Sequence, residues 1–127
     1  TDINNKKIKL ELNQNYKFPI KLELIEQKTM EKIDENKNIG LFDLCNINFP
    51  LTLRKWEYGD FMQPLGTNGK KKISDILIDK KVSIVEKENI YVILSNNEII
   101  WLIGYCISDK YKLNSITQNV LKITYFK

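Results

Sequence analysis

The chain has 127 residues, a mass of 15.0 kDa and a formal charge of +4, which suits one domain with one modest core. It contains no histidine, which excludes His-activated nucleophiles and ordinary His/Cys zinc sites. No run reaches the roughly 18 apolar residues of a membrane span, and the opening Thr1-Asp2-Ile3-Asn4-Asn5-Lys6 has no signal-peptide core and no initiator Met, so it reads as a piece of a larger protein.

In chain order, Lys7 to Leu12 alternates apolar and polar residues and predicts a half-buried strand. Asn13-Gln14-Asn15 predicts a turn. Phe18, Ile20, Leu22 and Leu24 predict a second strand, with Pro19 marking an edge or a strand start. The two are expected to pair as a hairpin. Glu26 to Asn38 is polar and charged and is expected to be a solvated loop or short helix. Leu41 to Leu44 predicts a short strand.

Phe49 to Trp56 predicts a stronger strand, with Leu51 and Leu53 on one face and Thr52 and Arg54 on the other. Tyr58-Gly59-Asp60 is a turn. Pro64 to Gly69 is a loop in which Gly66 and Gly69 can take positive φ. Ser74 is a candidate helix cap, with Ile76, Leu77 and Ile78 as the apolar side and Lys80-Lys81 at the end. Ser83 is a second candidate cap, of a turn through Lys87. Tyr91 to Leu94 and Ile99 to Ile103 form a hairpin across Asn96-Asn97, buried on both faces and ended by Gly104. Val120, Leu121, Ile123 and Tyr125 mark a last strand. The expected class is α+β: about six or seven strands in a mixed or antiparallel, sandwich-like arrangement with one or two short helices.

Cys45 and Cys106 have no Cys-x-x-Cys spacing and read as small core residues in a reducing cytoplasm, with a disulfide as the alternative. Residues 1–50 carry 8 lysines against 8 acids, so the whole positive excess lies in 51–127. That excess suits a polyanion partner without demanding one. Abundant Lys, Ile and Asn together point to biased codon usage, which lowers the weight of any one lysine.

The segment 54–81 concentrates the chemistry. Gly66-x-x-Gly69-Lys70 is not a P-loop, which needs four residues between its glycines and Ser or Thr after its lysine. Lys70, Lys71 and Lys72 still place compact charges between a glycine loop and a helix start, with Lys80 and Lys81 at the far end, a surface able to track a phosphate backbone. A solvated lysine loop is the alternative. Arg54, the sole arginine, can pair with Asp60 across the Gly59 turn, contact phosphate, or both. Trp101 reads as core. Trp56 and Tyr58 either cover one end of the core or stack on bases. Asp75/Asp79 and Glu86/Glu88 lack metal-ligand spacing, and no acid–base constellation emerges.

Taken together, Leu53-Arg54-Lys55-Trp56, Gly59-Asp60, Gln63-Pro64-Leu65-Gly66, Gly69 to Asp75, Ile78-Asp79-x-Lys81, Glu86-Lys87, Ile100-Trp101-x-x-Gly104 and Ile107-x-Asp109-x-Tyr111-Lys112 resemble the C-terminal domain of the tRNA(Ile)-lysidine synthetase family. The likeness covers about residues 49–126. Phe61 stands where the family often has arginine, and Ser83 where it often has proline. The resemblance implies a fold shared with the phenylalanyl-tRNA synthetase β subunit, and a parent enzyme that uses ATP and Mg²⁺ to ligate lysine to the wobble cytidine of tRNA(Ile) with a CAU anticodon. It implies that catalysis lies in an N-terminal domain marked by Ser-Gly-Gly-x-Asp-Ser, a motif absent from this sequence. The fragment itself is expected to be non-catalytic and without cofactor, and to bind tRNA near the acceptor stem. Residues 49–127 would form that domain, and 1–48 a hairpin and polar lead-in packed on it or linking to it. Lys71, Lys72 and Lys81, supported by Lys70 and Arg54, would contact phosphate. Gly59, Asp60, Pro64, Gly66 and Gly69 would set loop geometry. The alternative is a module that docks the parent's other domains without touching RNA. Oligomeric state stays open, a homodimeric parent included.

Overall fold

The computed structural model describes residues 7–28 and 36–127. Eleven strands occur among them: β1 (Ile8–Leu10), β2 (Gln14–Tyr16), β3 (Lys21–Lys28), β4 (Ile39–Asp43), β5 (Leu51–Lys55), β6 (Phe61–Met62), β7 (Lys71–Lys72), β8 (Tyr91–Ser95), β9 (Glu98–Leu102), β10 (Cys106–Ile107) and β11 (Asn119–Phe126). Two helices, α1 (Ile73–Asp79) and α2 (Ile84–Lys87), lie between β7 and β8. The count exceeds the sequence expectation because β2, β6, β7 and β10 are two or three residues long, too short to show a period.

All strand pairs are antiparallel. One sheet runs β1-β5-β8-β9-β10, another β2-β3-β11-β4, and β6-β7 is a small separate ribbon. The first two sheets share one core, filled by Leu10, Leu22, Phe42, Leu53, Trp101 and Ile123 among others. A second core, with Met62, Ile73, Leu77, Val92 and Leu102, packs α1 and the ribbon onto the five-stranded sheet. Along β8, Ile93 enters the first core while Val92 and Leu94 enter the second, as strand alternation requires. In β9 a register shift opposite Ile93/Leu94 places consecutive Ile100 and Trp101 both in the first core. The hairpin buried on both faces is therefore present. Its turn uses Asn96 and Asn97 at φ 50° and 66°, the left-handed pair that matches strand twist.

Several expectations change. The strand beginning near Lys7 does not pair with residues 18–24; β1 pairs with β5, Ile8 opposite Leu53. Alternation fixes which face is apolar but not which neighbour is chosen. The reversal centres on Leu12 and Asn13, with Asn13 at φ 61°, so Gln14 and Asn15 belong to β2, and β2 makes the hairpin with β3. Pro19 lies in the bend before β3, and β3 is an interior strand of its sheet. Glu26, Gln27 and Lys28 continue β3, paired to β11, where a loop or helix was expected. Of the remainder, 29–35 lie outside the described residues, and 36–38 form the turn into β4. Cys45 is exposed rather than core, because it sits in the 3-10 turn Leu44–Asn46; both cysteines are free.

Gly40 shows how closely the first core is filled. A Cβ there would lie 2.7 Å from the Phe42 ring and 3.1 Å from Trp101. Those rings pack edge to face at 6.2 Å and cannot withdraw. Gly40→Ala is expected to lower unfolding free energy by about 1–3 kcal/mol, read as a lower urea midpoint at unchanged m-value.

Candidate nucleic-acid interface

The interface is built outward from Arg54. Its side chain leaves β5 and meets Asp60 as a two-pronged pair, Nη1 to Oδ2 at 2.8 Å and Nη2 to Oδ1 at 2.9 Å. The two side chains are 11% and 13% exposed, so water screens the pair little. Nη1 also donates to the Lys55 carbonyl, 3.0 Å. The Asp60 hydrogen bond holds the guanidinium's pKa above its ordinary value. Asp60 Oδ2 further accepts from the Glu57 amide, 2.7 Å, closing the turn in which Gly59 takes φ 96°.

Asp60 reaches further through its backbone. Its carbonyl accepts the Ile73 amide at 2.9 Å and so satisfies the first turn of α1. This is why Ser74 is not the cap: Lys72 occupies that position without a side-chain bond. Ser83 does cap α2, accepting from the Glu86 amide at 3.1 Å. On α1, Ile73, Ile76 and Leu77 are buried, but Ile78, expected on the same side, is 61% exposed.

The lysines surround this frame. In the ribbon, Phe61 pairs with Lys72 and Met62 with Lys71. Met62 turns into the second core, while Lys71 and Lys72 are exposed. Lys71 forms an ion pair with Asp79. Lys70 lies over the Phe61 ring, 4.7 Å from its centroid. Lys80 ends α1, and Lys81 follows at φ 57°.

The preceding loop is pinned to the segment after β10. Pro64 bridges Ser108, the Leu65 amide donates to the Ile107 carbonyl at 3.1 Å, and the Asp109 amide to the Gln63 carbonyl at 2.8 Å. Gly66, at φ 83°, donates its amide to Asp109 Oδ1 at 2.9 Å. Gly69 does not take the expected positive φ, and nothing lies within 4 Å of a Cβ built on it. The Gly66 amide and Lys112 together hold the Asp109 carboxyl below its ordinary pKa.

Asp109 was not singled out as an anchor, nor was Glu98, which accepts from Lys110 and Tyr111. Burial, then Glu98, pushes the Tyr111 phenol up to about 12. The retrievable signal was Ser108-Asp109, a cap followed by an acid at the start of a 3-10 turn. Trp56 covers one end of the second core and donates its indole N–H to the Lys87 carbonyl, 2.7 Å. Tyr58, stacked edge-on against it, is 81% exposed. Trp101 is core. Among the described residues no three His, Cys, Asp or Glu side chains gather as metal ligands, and no helix is long and apolar enough to cross a membrane.

A family model described as "TilS substrate C-terminal domain" matches residues 51–123. The chain belongs to this family. Every candidate residue from Arg54 to Lys81 falls within the matched span. Two relatives, both tRNA(Ile)-lysidine synthases, are those of Parabacteroides distasonis, 36% identical across 82% of this chain and 25% of the relative, and Clostridium perfringens, 33% identical across 97% of this chain and 28% of the relative. The chain thus spans about a quarter of the length of the curated relatives it matches. A crystal structure of a TilS C-terminal domain superposes with a TM-score of 0.83 at 19% identity, covering 95% of both chains. An N-terminal fragment of the Pyrococcus horikoshii phenylalanyl-tRNA synthetase β subunit gives 0.61 at 18% identity, over 68% of this chain and 27% of the other. These two establish a shared fold, as expected from the sequence.

Asp60→Ala removes both Asp60 bonds from a nearly buried guanidinium, leaving it the Lys55 carbonyl at 3.0 Å and the exposed Glu57 carboxylate at 3.9 Å, and is expected to cost about 2–3 kcal/mol, measured by urea unfolding. The Asp109 latch carries a sign in pH. Its folded pKa is lowered, so its stabilisation is present above the unfolded carboxylate pKa and fades as pH falls through the folded value. Asp109→Asn should flatten the acid side of the stability–pH curve in that window; an unchanged curve assigns the acid dependence elsewhere.

Proposed function

We propose that this chain is a tRNA-contacting domain of a tRNA(Ile)-lysidine synthetase. The observation that carries the reading is membership of the TilS C-terminal domain family across residues 51–123, together with relatives named for that enzyme. In this reading the parent ligates lysine to the wobble cytidine of tRNA(Ile) bearing a CAU anticodon, in the cytoplasm. ATP and Mg²⁺ serve a catalytic domain carrying the Ser-Gly-Gly-x-Asp-Ser motif. Nothing in Gly66-x-x-Gly69-Lys70 fits a nucleotide triphosphate, so no chemical step is assigned to this chain.

The domain's part is to hold the tRNA body, at the acceptor stem, while the anticodon reacts elsewhere. Lys71, Lys72 and Lys81 meet phosphates, with Lys70 beside them. The Arg54–Asp60 pair leaves Arg54 a supporting part: its fork faces Asp60 and holds the frame that presents the lysines. Gly59, Gly66, Pro64 and the Asp109 latch set the loop's path, and Gly69 leaves open space beside it for a backbone to approach.

One observation favours docking onto other domains of the parent. Ile84 and Val85 of α2 are 78% and 72% exposed, and Ile84 shares a surface hollow with Tyr58, itself 81% exposed, more apolar side chain than a short surface helix normally offers. Salt separates the readings. Three phosphate contacts on helical RNA give a log–log slope of affinity against salt of roughly −2 to −3, reduced by about one per lysine removed. Titration of the chain with tRNA should show that slope, and Lys71→Ala with Lys72→Ala should lower it by about two. Unchanged affinity and slope in the double variant would refute the lysine assignment. A flat salt response in the unsubstituted chain favours docking.

A further inference from the structure

The two large sheets leave a groove open between their edges. β10 is the outer strand of one sheet and β4 of the other. Ile39 and Leu41 from β4, Cys106 and Ile107 from β10, and Leu65 from the pinned loop line a space of about 430 Å³. The lining is mainly apolar, and Leu65 is 53% exposed at it.

The rim has the opposite character. Lys37 and Lys112 line the groove, and among its described lining residues there is no carboxylate. Lys80, Lys37 and Lys71 all lie near enough to act electrostatically on the Cys106 thiol, although burial outweighs them and raises its pKa. Leu65 belongs to the pinned loop that leads to Gly69 and Lys70, so the groove adjoins the loop that presents the lysines. Neither Lys37 nor the groove is visible in the sequence pattern, since residues 37, 39–41, 65 and 106–112 come together only through the two sheet edges.

An apolar slot with Lys37 at its edge, and Lys112 held there 2.9 Å from Asp109, matches the anatomy of an unpaired nucleotide. The base is planar with weakly polar faces, and its phosphates lie outside, within reach of flexible ammonium groups. A paired base in a duplex exposes no such face. We propose that this groove receives an unpaired nucleobase of the bound tRNA, with the adjoining phosphates held by Lys37 and Lys112. The proposal rests on the tRNA-contact reading and adds a subsite to it.

The two free cysteines make the test. Cys106 lines the groove, although its Sγ donates to Met62 Sδ at 3.9 Å and its side chain packs on the second core, and Cys45 is exposed and not part of the lining. Ile39→Cys, on β4 at the groove, supplies a second reporter thiol. Alkylation by iodoacetamide is followed at each site by mass spectrometry, with the chain alone, with tRNA, and with a blunt RNA duplex. At a tRNA concentration about ten times its Kd, Cys106 alkylation should slow about tenfold, with Cys45 unaffected and the duplex giving no protection. Phosphates held at the groove would steepen the slope beyond the roughly −2 to −3 of Lys71, Lys72 and Lys81 alone, and Lys37→Ala should remove about one unit of that excess. Leu65→Ser, at an exposed position, should weaken binding without changing the slope, because an apolar contact releases no counterions. If Cys106 reacts at its free rate under saturating tRNA while a lysine-dependent slope persists, the groove proposal falls, the tRNA reading stands, and a protein segment becomes the groove's occupant. Equal protection by the duplex overturns the unpaired-base assignment. Absence of any salt-dependent binding overturns both.

Discussion

The Arg54–Asp60 pair is the constraint on which the basic face depends. Asp60 accepts from Arg54 and from the Glu57 amide through its side chain, and from the Ile73 amide through its carbonyl. One residue therefore fixes the end of β5, the turn after it and the start of α1. The ribbon carrying Lys71 and Lys72 lies between the last two. A charge-assisted, nearly buried pair is a costly thing to leave half-made, which is why it can hold exposed lysines in place although they pack against little themselves.

Beneath this frame is a sheet with apolar residues on both faces. One face meets the four-stranded sheet, the other meets α1 and Met62 of the ribbon. Because β8 and β9 feed both cores, the small outer layer is tied to the main body through Val92, Leu94 and Leu102 rather than through its own short strands. A seven-residue helix and a two-residue ribbon would not hold their form alone. They do so here because the sheet supplies a second apolar face for Ile73, Ile76 and Leu77.

Much of this was legible in the sequence. The continuous apolar runs at Tyr91–Leu94 and Ile99–Ile103, divided by Asn96-Asn97, state a two-faced hairpin directly, and the ordered Arg54–Lys81 motifs point to the family. What was not legible depends on partners distant in sequence. Ser74 looked like a cap because the local pattern is right; the carbonyl of Asp60, thirteen positions from Ile73 (73 − 60), had already filled that role. β1 looked like half of a hairpin because its neighbour in sequence alternates too, but its hydrogen bonds go to β5, over forty residues away. Asp109 and Glu98 gain meaning only from Gly66, Lys112, Lys110 and Tyr111 beside them.

Three lysines on or beside this face are matched by their own acids: Lys71 by Asp79, Lys112 by Asp109, Lys110 by Glu98. Such pairing shortens the reach of the surface's electric field, so a passing polyanion is drawn in weakly from a distance. In the proposed contact each of these three ammonium groups would have to trade a carboxylate for a phosphate at close range, an exchange that is favourable only where the shapes coincide. Partial self-neutralisation of this kind would make such an encounter slower to start and easier to reverse, leaving more of the discrimination to fit than to charge.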